Sequence, residues 1–138
     1  MKVKYPAVIV SAIAYWLLGY VWFDLLFGKK WMALEGITQA QAQAQSANMA
    51  KLVTITLLLN LLIAYVLANI CAWRNANTAG RGAAIGVLLW IGFVAPIAYT
   101  TFMYEGRSLV LYGLDYLYPL VGLCMMGAIL GMWNRKAA

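Results

Sequence analysis

The sequence predicts an all-α integral membrane protein, a four-transmembrane-helix bundle, and three observations predict it. Hydrophobic residues make up 65% of the 138 residues and charged ones only 10%, where a soluble domain carries about a quarter charged and just under half apolar. Four apolar runs of roughly 22 residues are each long enough to cross a hydrocarbon core of about 30 Å at 1.5 Å per residue. A backbone inside lipid must satisfy its own hydrogen bonds, so each run is a helix. The expected spans are about 5–27, 51–73, 82–104 and 112–133, in a single transmembrane domain of 1–138 with no sizeable part outside the bilayer. Ordinary soluble enzymes and binding modules, nucleic-acid binders among them, are excluded. With no histidine and two cysteines, the usual zinc, haem and His-dependent triad sites lack their ligands or bases. No cofactor, metal or catalytic residue is expected.

The first run extends from Tyr5 to Phe27, broken only by Ser11 and Asp24. Lys2, Lys4 and Ala12-Ile13-Ala14 imitate a signal peptide, but the apolar run continues well past that point, so the helix is read as uncleaved. Residues 36–50, GITQAQAQAQSANMA, form a short outer-surface helix or loop, in which Thr38 and Gln41 fit a capping box. The segment is a solvated spacer or a partner-docking element.

In the second run Thr56, Asn60, Ala64 and Ala68 recur every four residues, a small and polar stripe that should face protein. Asn60 is read as an interhelical donor within the chain, with a subunit interface as the other reading. Asn69 falls on the opposite side and should bond near its end of the helix. The third run carries Gly82-x-x-x-Gly86 and the fourth Gly127-x-x-x-Gly131; in consecutive antiparallel helices these lie at one depth and can pack face to face. Pro96 cannot donate to the carbonyl of Gly92, nor Pro119 to that of Asp115, so both outer halves should bend. Cys71 and Cys124 lie at different depths and are read as free thiols.

Lys2, Lys4, Arg74, Arg81, Arg135 and Lys136 fall on one side of the membrane, against Lys29, Lys30, Lys51 and Arg107 on the other, a modest excess that puts both termini in the cytoplasm. Asp24, Glu35, Glu105 and Asp115 all lie at or beyond the outer ends of the spans. Trp22, Trp31, Tyr104, Tyr112, Tyr116 and Tyr118 mark the outer boundary, and Tyr5, Trp73 and Trp133 the inner one. The acids, both prolines and most hydroxyls thus gather in the outer half, where they would form a funnel open to the outside. Asp24, about a turn inside the first span, either pairs with Lys29, Lys30 or Arg107 or belongs to a ligand or ion site. Lys29, Thr100, Glu105, Arg107, Asp115 and Tyr116 complete the candidate set.

The stretch Trp22-Phe23-Asp24-Leu25-Leu26-Phe27-Gly28-Lys29-Lys30-Trp31-Met32 resembles the signature of the bacterial membrane family called domain of unknown function 1761, where a Trp-aromatic pair leads to Phe-Gly-Lys-x-Trp. Leu89-Trp90-Ile91-Gly92-Phe93-Val94-Ala95-Pro96, Phe102-Met103-Tyr104-Glu105-Gly106-Arg107 and Met126-Gly127-Ala128-Ile129-Leu130 are similar to further parts of it, so the resemblance covers nearly the whole chain. Family members usually carry a small residue and a proline where this chain has Asp24 and Leu25, which shifts weight from Asp24 to Lys29, Glu105 and Arg107. The resemblance implies a small multi-pass, four-helix protein of the bacterial cytoplasmic (inner) membrane and brings no activity with it.

Two function classes are carried forward. One is a homo-oligomeric transporter or channel entered through the outer funnel. The other is an accessory or structural protein that binds lipid or a larger membrane protein. An enzyme using Asp24, Glu105 or Asp115 ranks below both, because lone carboxylates without metal or histidine support few reactions. Convergence of the outer polar groups on one hydrated cavity favours transport; paired and closed, they favour the accessory protein.

Overall fold

The structure, a computed structural model, describes residues 3–26, 30, 33, 36, 38, 40–41, 48–106 and 108–136, leaving aside the side chains of 24–26, 135 and 136. Helix α1 (Tyr5–Tyr20) runs on as a π-helical segment, Val21–Leu26. Helix α2 is Met49–Trp73. Helix α3 (Ala79–Leu89) passes through a second π-helical segment, Trp90–Val94, into α4 (Ala95–Glu105). Helix α5 is Leu109–Lys136, with Pro119 inside it. Four continuous helical stretches, Tyr5–Phe23, Met49–Trp73, Ala79–Glu105 and Leu109–Asn134, are long and apolar enough to cross a membrane.

Helix ends follow local chemistry. Pro6 sits in the first turn of α1, where its missing N–H is not needed. The Thr78 hydroxyl accepts from the Arg81 backbone N–H at 3.2 Å and starts α3 at Ala79, a turn ahead of the apolar run. Gly106, at φ 67°, closes α4 in the left-handed region, and the Ser108 hydroxyl accepts from Val110 and Leu111 to open α5. Between 36 and 50, Thr38 and Gln41 make both bonds of the capping box, 3.0 and 3.2 Å long; residues 42–47 lie outside the described ones.

Helix α5 packs along α3, α1 and α2, while α2 lies chiefly on α1. Helices α2 and α3, though consecutive, touch little beyond their turn. Tyr15 meets Tyr118 and Trp22 meets Leu114, so α1 and α5 run antiparallel, and the start of α1 and the end of α5 share the bundle end that carries the α2–α3 turn. Asn134 donates to the carbonyl of that turn's buried Ala76 at 3.1 Å. The core itself is built from Leu67, Cys71, Leu111 and Met126, fully buried.

The two glycine motifs meet inside the chain. A Cβ on Gly82 would fall on the carbonyl oxygen of Gly127, one on Gly127 on that of Gly82, one on Gly86 on that of Leu123, and one on Gly131 on that of Thr78. These glycines are therefore enclosed between α3 and α5 and offer no surface to a second copy. The stripe on α2 is partly as expected. Asn60, Ala64 and Ala68 are buried, and the Asn60 amide reaches the Ala12 carbonyl at 3.5 Å. Thr56 is exposed, and its hydroxyl donates to Leu52 of its own helix. There α1 and α2 part, leaving a groove of about 410 Å³ lined by Trp16, Gly19, Tyr20, Met49, Leu52 and Thr56 among others. The Asn69 amide donates within α2, to Tyr65 at 2.9 Å. Both cysteines are free.

A matched pair of substitutions tests the glycine contact. Gly82→Ala should lower the unfolding midpoint in detergent by the equivalent of about 1–3 kcal/mol, the usual cost of overpacking. Gly80→Ala, whose Cβ meets nothing within 4 Å, should be neutral or stabilising by up to about 1 kcal/mol through helix propensity. Equal effects would remove the contact from its place in the fold.

Candidate functional site

Pro119 organises the end of the bundle away from the termini. Lacking an N–H, it cannot close the usual bond to Asp115, four residues back, and its ring crowds that carbonyl. The helix continues through it. The turn is instead braced from two other helices, by indole donors to the carbonyls on either side of Asp115. Trp22 Nε1 donates to Leu114 O at 2.8 Å, and Trp90 Nε1 to Tyr116 O at 2.7 Å. Both tryptophans sit in the π-helical segments. In the second, the Ala95 N–H reaches back five residues to Trp90 O, a widening that accommodates Pro96 and resets the helix face on which the indole stands.

Aromatic rings and hydroxyls fill the space around this turn. The Tyr118 hydroxyl donates to Tyr15 O at 3.1 Å, with the two rings 4.7 Å apart, and Phe23 meets Tyr118 edge-on at 5.2 Å. Tyr15 in turn lies on Gly122, where a Cβ would enter its ring. The Tyr112 hydroxyl donates to Ala95 O at 2.9 Å, and Phe102 stands edge-on to Tyr112 and Tyr116, each at 5.5 Å. Three residues expected to mark the membrane boundary, Tyr112, Tyr116 and Tyr118, are thus half-buried and packed into the bundle, whereas Tyr104 and Trp73 are exposed.

Of the candidate polar residues, Thr100, Glu105, Asp115 and Tyr116 are described. The exposed Thr100 turns its hydroxyl back to Pro96 O at 2.9 Å, and Thr101 does the same to Ile97 O. Glu105 is exposed at the end of α4, and Asp115 and Tyr116 are half-buried on α5; none of these three is without a partner. The side chains of Asp24, Lys29 and Arg107 lie outside the described residues. Three hollows among the described residues lie elsewhere: the groove between α1 and α2, an apolar trough along α3 and α5 at Val87, Leu120, Val121 and Cys124, and a crevice at Arg74 and Arg81. Thr100, Glu105, Asp115 and Tyr116 line none of these. Among the described residues no three carboxylates or thiols gather closely enough to hold a metal ion.

Sequence reasoning missed the role of Trp22 and Trp90. The signal was present in the proline: a ring that crowds its own turn leaves that turn to be braced from outside, and indole N–H groups on neighbouring helices can do so.

A family model described as "protein of unknown function (DUF1761)" matches residues 6–131. No curated protein and no solved structure matches the chain.

Trp22→Phe and Trp90→Phe should each cost about 1 kcal/mol of stability, the worth of one such bond. In a Pro119→Ala background, where no ring crowds the turn and it needs no outside brace, each loss should fall to less than half. Equal losses in both backgrounds, measured by unfolding in detergent, would uncouple the indoles from the proline.

Proposed function

The chain belongs to the DUF1761 family of proteins of unknown function, and from that premise we propose a multi-pass bacterial inner-membrane protein, both termini cytoplasmic, that acts as an accessory or structural component. It works through what its outer faces bind, lipid or a larger membrane protein, and performs no chemistry of its own.

A filled centre carries this reading. Tyr15, Leu67, Cys71 and Met126 are buried, Tyr118 closes on Tyr15, and α3 lies on α5 with backbone against backbone at the glycines. A solute crossing one copy would have to displace that packing. Transport would need a path between several copies, and the glycine motifs are not free to join them. The bilayer placement is supported by the surface: Leu58, Leu62, Leu88 and Phe93 are each more than half exposed, an apolar area that water-soluble proteins rarely present. The orientation is supported by Lys4, Arg74 and Arg81 at the termini end together with Lys2, Arg135 and Lys136 of the adjoining chain ends. Lone carboxylates with no histidine nearby give little support to an enzyme.

The purified chain in liposomes should pass ions and small solutes no faster than empty liposomes, and Asp24→Asn and Glu105→Gln should change nothing. Flux in the unaltered chain that either substitution abolishes would overturn this reading in favour of transport. For the orientation, a fluorescent protein fused after Ala138 should fold and fluoresce in cells, whereas alkaline phosphatase fused there should stay inactive. The reverse pattern would place the terminus outside.

A further inference from the structure

At the termini end, the α2–α3 turn and the first turns of α3 border a crevice of about 420 Å³ lined by Arg74, Ala76, Arg81, Ala84, Ile85 and Leu88. It exists because α3 is drawn onto α5 by the glycines while α2 lies on α1, so the two helices diverge from their common turn. Its walls change character with depth. Arg74 closes α2, and Arg81 lies in the first turn of α3. Ala84, Ile85 and Leu88 follow Arg81 at intervals of three, four and seven residues, on one helix face. The result is a basic mouth leading into an apolar gutter that extends roughly 10 Å along α3 at 1.5 Å per residue. Leu88 at its inner end is 69% exposed.

Among the described residues the charge at the mouth is unmatched. Arg81 Nη1 donates to the side-chain oxygen of Asn77 at 3.3 Å, which leaves most of its five donors unused. No carboxylate among the described residues pairs with either guanidinium; Glu105 and Asp115 lie at the other end of the bundle. Two guanidiniums on one hollow, without an acid between them, attract an anion, and the gutter beneath selects one that carries a hydrocarbon chain.

We propose that this crevice holds an anionic phospholipid, its phosphate between Arg74 and Arg81 and one acyl chain along Ile85 and Leu88. The site rests on the bilayer placement above and names the lipid that the accessory protein binds. A free phosphate would use the arginines and ignore the gutter. A second copy or a protein partner would cover the gutter without needing phosphate.

Native mass spectrometry of the full chain released from mixed detergent and lipid micelles tests it. The unaltered chain should retain one phosphatidylglycerol in preference to phosphatidylcholine. Arg74→Gln and Arg81→Gln should each weaken retention about fivefold, as expected for one basic residue at an anionic surface, and together about 25-fold. Leu88→Asn should weaken it with both arginines in place, and millimolar inorganic phosphate should not displace the lipid. Lys51→Gln, an exposed cation on the first turns of α2, should have no effect, and circular dichroism should find every variant helical. Retention that survives the double substitution, that falls equally with Lys51→Gln, or that phosphate abolishes while Leu88→Asn is neutral would overturn the site. So would replacement of lipid by a second copy in the spectrum. Loss of the site with liposomes still tight leaves the accessory reading standing, and lipid retention in a chain that conducts overturns that reading alone.

Discussion

The contact between Gly82 and Gly127 sets the rest of the architecture. Lipid tails are as apolar as leucine side chains, so helices in a bilayer gain nothing from hiding hydrocarbon and associate through close packing and hydrogen bonds. Backbone laid against backbone gives the densest contact available, and glycine alone permits it: any Cβ at Gly82 or Gly127 would occupy the facing carbonyl. Once α3 is held to α5 in this way, Trp90 comes within reach of Tyr116 O, and Tyr112, further along, of Ala95 O. The same contact draws α3 away from α2, which opens the crevice at Arg74 and Arg81.

Pro119 imposes the second constraint, on the opposite half of the bundle. A proline inside a helix removes one backbone donor and its ring crowds the carbonyl one turn back, here that of Asp115, which loosens the turn. Around the proline, donors reach the helix laterally, an indole from each of two helices onto the carbonyls flanking that of Asp115, and so brace the turn that the ring crowds. Widened turns at Val21–Leu26 and Trp90–Val94 position those indoles. Three helices are thereby fastened at one depth. Asn60 and Tyr118 extend the same device, each giving a side-chain donor to a carbonyl of α1. Side-chain donors on backbone acceptors leave few polar atoms adrift; the buried Ser11 hydroxyl has no partner among the described residues.

What the sequence made legible depended on whether a residue type marks a helix face. These helices are apolar nearly all round, so periodicity does not say which side points inward. Only small and polar residues break the symmetry. The glycine spacing and Asn60 accordingly announced their contacts, and Thr38 with Gln41 announced a local cap. Thr56 belongs to the same stripe by spacing yet is exposed, because the stripe outruns the length over which α1 and α2 touch. Tyrosine and tryptophan suit the interface and the interior equally well, and depth alone placed Trp22, Tyr112 and Tyr118 at the boundary when they pack inward. The π-helical turns have no one-dimensional signature, though Pro96 pointed to one of them. Of the outer charged set, Glu105 and Asp115 are placed, while the side chains of Asp24, Lys29 and Arg107 fall outside the described residues.

The two ends of the bundle treat their polar groups in opposite ways, and that difference locates recognition. Away from the termini, among the described residues, the hydroxyls of Thr100 and Thr101 fold back onto their own helix, Tyr112, Tyr118, Trp22 and Trp90 are bonded to carbonyls, and Glu105 and Asp115 already have partners. At the termini end the guanidiniums of Arg74 and Arg81 keep most of their donors unspent, beside a hollow that packing has left open. A ligand gains free energy only from groups the protein has not already satisfied within itself. With the centre filled, such groups remain on the flank, at Arg74 and Arg81.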